Sequence, residues 1–230
     1  MITRRKDYVK RAPSKEADKI YIVCEGRNTE PNYFSFFKGL SSNLELIVIP
    51  PENGTDPLKL VELAKSKFLD ERGRYTLDYM QHDRVWFAID TDSWEKEGKI
   101  DPLRKFCEEL NSEIVRNYDE VRPYDAWRVA QSNPCFEIWL YYHHYSDRPE
   151  TIETGTIDSV KSYVDSKING GFDYQRDQVR LENAIANSEK NFLRTESGNI
   201  DVWSTEQHLL AKDILPFVKP ELDKLRNKIG

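Results

Sequence analysis

The sequence predicts an α/β protein: a mainly parallel sheet flanked by helices on both faces, followed by a C-terminal helical appendage. Three observations lead there. Short β-branched and aromatic runs recur at Ile20–Cys24, Leu44–Ile49, Arg84–Ile89 and Ala126–Gln131. Each is followed by apolar residues at spacings of three and four, the pattern of an amphipathic helix. Beyond about Ser146 the strand signals fade and only helical spacing continues. The chain therefore divides into a basic arm over residues 1–18, an α/β unit over 19–145, and a helical segment over 146–230.

The arm carries Arg4, Arg5, Lys6, Lys10 and Arg11 without an apolar stretch, so it is no secretory signal. A solvated terminus is the plain reading, and phosphate contact the functional one. The first strand ends at Glu25-Gly26, and Thr29 and Pro31 open a helix with Tyr33, Phe36, Phe37 and Leu40 on one side. Leu44–Ile49 is the second strand, stopped by Pro50 and Pro51. Asp56 is placed to cap the next helix, with Pro57 at its first position and Leu58, Val61, Ala64 and Phe68 along it. The third strand delivers Asp90-Thr91-Asp92, and Asp101-Pro102 opens a helix through Leu103, Phe106, Cys107 and Leu110. The fourth strand exits at Ser132-Asn133-Pro134, where Asn133 is expected to cap the helix that carries Glu137 and Trp139. Further on, Ile157, Val160, Tyr163 and Val164 suggest a helix, as do Leu181, Ala184 and Ile185. Ser204 with Gln207 has the form of a capping box before Leu209, Leu210 and Ile214.

Composition narrows the function classes. A chain of 230 residues, 38% hydrophobic and 32% charged, can bury a core, and no run approaches the roughly 18 apolar residues of a membrane span. Its three cysteines, Cys24, Cys107 and Cys135, lack metal-knuckle spacing, which points to a reduced, cytoplasmic setting. The net charge of −6 does not advertise a polyanion binder, but an acidic metal site contributes to it.

The chemistry concentrates where strands end. Open α/β sheets place ligands at the carboxyl ends of their strands. Glu25 stands at one such end and Asp90 and Asp92 at another, and Gly26 allows a tight backbone there. If the backbone stays extended, Asp90 and Asp92 share a face. Carboxylates this close repel one another and are compatible when a cation lies between them. All-oxygen donors suit Mg²⁺ or Mn²⁺, one ion or two. Glu137, in apolar company, needs a partner and is a further candidate ligand. Packing or capping is preferred for Ser132, Asn133, Cys135, His143, His144 and His208, and burial for Trp94 and Trp139; Lys38, Lys59 and Arg128 are unranked phosphate contacts.

Glu25-Gly26 after one strand and Asp90-x-Asp92 after another resemble the Toprim arrangement of topoisomerases, primases and certain nucleases. More closely, VCEGRNTEPNYF, FAIDTDSW and SNPCFEIWL, in that order, resemble the RloB-like family over most of residues 19–145. The resemblance implies a Toprim-like fold with Glu25, Asp90 and Asp92 as metal-binding catalytic acids. It implies a Mg²⁺- or Mn²⁺-dependent endonuclease that cuts DNA or RNA, tRNA included. It also implies a role as effector of an anti-phage system under an ATPase partner, away from membranes. Related nucleases often carry a second glutamate four residues after the first; here Thr29 holds that place and Glu30 follows it. A dehalogenase-like phosphatase and a nucleotide-sugar transferase also use DxD, but both leave Glu25 without work. The non-enzymatic rival is a Toprim-like binding or assembly module of the same system.

Overall fold

The computed structural model describes residues 10–118, 123–149 and 157–229. Arg4, Arg5 and Lys6 of the expected basic arm lie outside the described residues. Strands β1 (Asp18–Cys24), β2 (Leu44–Ile49), β3 (Arg84–Asp90) and β4 (Trp127–Asn133) are joined by a two-residue β5 (Ser204–Thr205), in the order β2-β1-β3-β4-β5. The first four are parallel, and β5 runs antiparallel to β4 with Ser132 opposite Thr205. The sheet is thus α/β and mostly parallel, as the alternation of strand and helix predicts.

Parallel strands need crossovers, and helices supply them. They are α1 (Thr29–Ser35), α2 (Pro57–Ala64), α3 (Ile100–Asn117) and α4 (Glu137–Tyr142), followed by α5 (Ile157–Lys167), α6 (Leu181–Lys190) and α7 (Gln207–Ile229). The period-two alternation of the strands splits the core into two layers. Ile20, Ile22 and Cys24 of β1, with Trp86 and Ala88 of β3, face α1, α4, α6 and α7. Tyr21, Val23, Val85, Phe87 and Ile89 face the other way, against Leu60 and Leu63 of α2 and Leu103 and Cys107 of α3. All three cysteines are buried and unpaired.

The segment beyond Ser146 contributes to the main core. Leu210, Ile214, Val218 and Leu222 of α7 pack in the same layer as Ile20 and Trp86. Polar contacts fix its position: Asp213 Oδ2 accepts the Trp86 indole N–H at 3.1 Å and pairs with Arg84 at 3.5 Å and Arg128 at 3.7 Å. Arg128, one of the unranked phosphate candidates, lies over the Trp86 ring at 4.3 Å and beside the Asp213 carboxylate. No helix among the described residues is long and apolar enough to cross a membrane.

Local expectations fare differently from place to place. Asp56 caps α2 as expected, accepting from the amides of Leu58 and Lys59. Asn133 does not cap α4: its side-chain amide donates to the Ile200 carbonyl at 2.6 Å, and that helix has no side-chain cap. Nor does Ser204 cap α7. Its hydroxyl serves Arg148 and the Leu193 amide, and Thr205 Oγ1 accepts from Gln207 N instead, at 3.1 Å. In both places a tertiary partner takes the side chain that local pattern assigns to a helix end.

Candidate metal centre

Glu25 leaves β1 in pairing geometry, its amide donating to Ala88 O at 3.0 Å. Its carboxylate turns across the sheet edge. Oε2 accepts the Asp90 amide at 2.9 Å, and Oε1 accepts the Trp94 indole N–H at 2.7 Å. The ends of β1 and β3, 65 residues apart in the chain, are thereby joined. Burial pushes the Glu25 pKa up to about 7. The two hydrogen bonds work against that shift, while the Glu30 and Asp92 carboxylates add to it.

Asp90, the last residue of β3, accepts the Phe136 amide on Oδ1 at 2.8 Å. Burial holds its carboxyl well above the usual range, reinforced by Glu25, Glu30 and Glu137 and opposed by Lys161. The bond to Phe136 brings in α4, which starts at Glu137. One oxygen of Glu137 lies 3.7 Å from Lys161 Nζ on α5. The other, Oε2, is buried and has no hydrogen-bond partner among the described residues. Burial works against the Lys161 charge, but Glu137, Asp90, Cys135 and Glu30 together raise its pKa above the ordinary value.

Glu30 is the acid to which sequence reasoning assigned no role. It is buried in the first turn of α1, and its Oε1 accepts the Gly26 amide at 3.0 Å. Burial raises its carboxyl too, and Glu137 adds to the rise. Gly26 is glycine for a steric reason: a Cβ there would collide with Glu30 Oε2. Gly26→Ala is expected to displace the Glu30 carboxylate and cost about 1–3 kcal/mol in urea unfolding. Gly26→Ala/Glu30→Ala makes room for the methyl and is expected to recover most of that loss. Additive costs would remove the steric explanation.

Asp92 is placed differently from the two acids it was grouped with. The backbone leaves the strand at Asp90, and Asp92 takes a left-handed conformation with φ of 36°. The extended-strand condition for a shared face is not met. Its side chain is exposed, although its charge is felt at Glu25. The turn itself is held from β4: Thr91 N donates to Ser132 O at 2.8 Å, and Gln131 Nε2 to Thr91 Oγ1 at 2.7 Å. Trp94, expected as a buried ring, is half-buried and spends its N–H on Glu25.

The remaining candidates are structural. Ser132 Oγ bonds Thr205 Oγ1, His143 bonds Tyr33 OH and Trp139 O, and His208 bonds Thr205 O. His144 pairs with Asp177, while burial drives the Cys135 thiol far up. Glu30 and Lys161 are the participants that sequence reasoning missed. Glu30 falls one position off the expected spacing, and Lys161 lies where element signals are weakest.

Glu25, Glu30, Asp90 and Glu137 fit a hard divalent cation in donor type, and a cation would have to displace the protons that burial favours on three of them. They offer oxygen only, three of them are held in the protonated direction by burial and neighbouring carboxylates, and one buried oxygen lacks a partner. Among the described residues, no three such side chains are gathered into a ready ligand shell.

A mostly parallel α/β sheet with acids, Glu25 buried and Asp90 half-buried, converging at the carboxyl ends of two neighbouring strands defines an α/β protein with an acidic edge site. Residues 20–214 match the RloB-like protein family, and the chain belongs to it. No curated protein and no solved structure matches the chain at a significant level.

Proposed function

We propose that this member of the RloB-like family is a Mg²⁺- or Mn²⁺-dependent endonuclease. Its substrate is DNA or RNA, tRNA included, and it acts as effector of an anti-phage system together with an ATPase partner. The observation that carries the reading is the bond from Asp90 N to Glu25 Oε2, which brings acids of two separate strands to one edge. Glu25, Asp90 and Glu137 would hold the metal, with Asp92 reaching in from the turn. When bound, the ion supplies Lewis-acid stabilisation of a phosphoryl oxygen and acidifies a bound water.

The protein's own residues do the rest. The Trp94 indole and the Asp90 amide orient the Glu25 carboxylate. In the metal-free protein that carboxylate, with its pKa pushed up to about 7, exchanges a proton near neutral pH, and a bound cation would displace that proton. Glu30, tied to the Gly26 amide, adds a negative charge that works against ionisation of Glu25 and Asp90 and that a bound cation would offset.

A second reading, a non-catalytic assembly module of the same system, has an observation of its own. Both Glu25 oxygens are satisfied by protein donors, and the acids form no ready ligand shell among the described residues. One experiment separates the two. The protein is co-purified with the ATPase encoded beside it and incubated with cellular RNA and DNA, with Mn²⁺ or with EDTA, and the ends are sequenced. New ends at defined positions, present with Mn²⁺ and absent with EDTA, are expected. Phage protection that is equal in wild type and Glu25→Ala, with no new ends in either, would favour the assembly module.

A further inference from the structure

The contact between α4 and α5 determines where Lys161 can reach. Ile138, Tyr141 and Tyr142 of α4 pack with Val160 and Val164 of α5 in one buried cluster. Lys161 follows Val160 directly, so the seam that anchors α5 also directs the lysine toward the start of α4. There its ammonium meets Glu137 Oε1 at 3.7 Å. Phe136, the residue before Glu137, donates its amide to Asp90. The lysine is thereby brought over the same acids that would hold a divalent cation, and its charge acts on Asp90 and Glu30 as well as on Glu137.

A lysine at this place could brace α5 or balance charge, and the geometry distinguishes the two. A separation of 3.7 Å is too long for a directional hydrogen bond, and Glu137 Oε2 accepts no N–H or O–H among the described residues, with the Cys135 thiol within reach of the carboxylate. A brace would close that distance and satisfy that oxygen. Coulomb attraction, by contrast, persists at this range, although water at the half-exposed lysine weakens it. The Lys161 side chain is also 43% exposed, so its flexible stem can carry the ammonium out to water while Val160 and Val164 keep the helix in place.

We propose that Lys161 is the resident counter-cation of the acid cluster: it neutralises Glu137 and its neighbours in the metal-free protein and yields its place when a divalent metal enters. The lysine then sets how tightly the site takes metal. This inference rests on the metal-centre reading above and adds a residue and a competition to it.

The test is a Mn²⁺ titration by calorimetry on the full chain, for wild type, Lys161→Met, Lys161→Arg, Glu137→Gln and the Lys161→Met/Glu137→Gln pair. Removing the competing charge in Lys161→Met is expected to tighten Mn²⁺ at least about fivefold. Lys161→Arg, which keeps the charge, is expected to stay within about twofold of wild type. In the Glu137→Gln background the effect of Lys161→Met should shrink to less than about twofold, since the two side chains act on each other. Thermal melts give the second measurement: Lys161→Met should melt below wild type without metal, and saturating Mn²⁺ should close the gap. Equal Mn²⁺ affinity in wild type and Lys161→Met would overturn the proposal and leave the metal centre standing. So would a melting deficit that Mn²⁺ does not change, because a brace behaves that way. Absence of Mn²⁺ binding in every variant would overturn the metal-centre reading, and the inference with it.

Discussion

Glu25→Gln and Asp90→Asn are each expected to abolish metal-dependent cleavage while leaving the protein folded. If the proposed ligation holds, the fall should exceed the roughly hundredfold that loss of an outer-shell contact reaches, because an oxygen ligand would be removed. The fold should survive because each amide replacement keeps one carbonyl oxygen. In Glu25→Gln that oxygen can serve the Asp90 amide or the Trp94 indole, and in Asp90→Asn it can serve the Phe136 amide. Above about pH 7 metal-free stability should hold or rise, since each change deletes one charge from a set of carboxylates that repel one another. Single-turnover cleavage with Mn²⁺ and thermal melting with EDTA measure the two effects. A variant that melts like wild type and still cuts at near wild-type rate would remove its residue from the mechanism.

The same acids give the metal-free protein a pH dependence of defined sign. The Glu25 pKa is raised from 4.5 to about 7, so between those values the folded state binds more protons than the unfolded one. Stability contributed by that proton is complete below the unfolded value and is lost as pH rises through about 7. Asp90 and Glu30 are shifted in the same direction. The metal-free protein should therefore melt higher at pH 5 than at pH 8, and Glu25→Gln should flatten that slope. Mn²⁺ affinity should run the opposite way, strengthening with pH as the carboxylates ionise.

The largest effect on stability is expected at Glu206. It is 3% exposed and holds two guanidinium groups, accepting from Arg104 at 2.7 Å on one oxygen and from Arg194 at 2.8 Å on the other. It also accepts the Gln131 amide at 3.2 Å and donates its own amide to Gln131 O at 2.8 Å. One side chain thus ties together α3, β4, the approach to β5 and the start of α7. Glu206→Ala removes the buried acceptor that two partly exposed arginines share and, with water screening part of the loss, should cost about 2–4 kcal/mol in urea unfolding. That is a large share of the roughly 5–15 kcal/mol that keeps a domain folded. Glu206→Gln retains an acceptor and should cost less. The damage should also reach the site, because Arg104 bonds Gln131 Oε1 and Gln131 bonds Thr91 in the turn between Asp90 and Asp92. A loss below about 1 kcal/mol for Glu206→Ala would show the pair to be no better than an exposed one.

What could be read from the chain beforehand follows a physical line. The central strands β1 and β3 were legible because a strand buried on both faces is nearly all apolar, and few other segments look like IYIVC or VWFAI. Glu25 and Asp90 were legible because an ionisable residue directly after such a run has only the sheet edge to occupy. Asp56 was legible because its cap is local and complete within a few residues. The two-residue β5 carries no periodicity of its own; pairing with β4 creates it. Asn133 and Ser204 were misassigned because distant partners, Ile200 O for one and Arg148 for the other, claimed their side chains. Glu30 and Lys161 join the site through the packing of α1, α4 and α5, and no spacing rule records which turn of a helix a neighbour will cover.

The packing of α7 on the sheet has a consequence for how the molecule is made. Leu210, Ile214, Val218 and Leu222 cover the same side of β1 and β3 whose tips carry Glu25 and Asp90. A ribosome that has delivered all the acids, from Glu25 to Glu137, still holds the segment that seals the sheet beneath them. Until that stretch emerges, the nascent chain keeps a greasy sheet surface open and lacks the rigid platform on which its acids are aimed. Assembly of the site is thereby deferred until that stretch has been made, and a chain cut short before it would lack the platform for it.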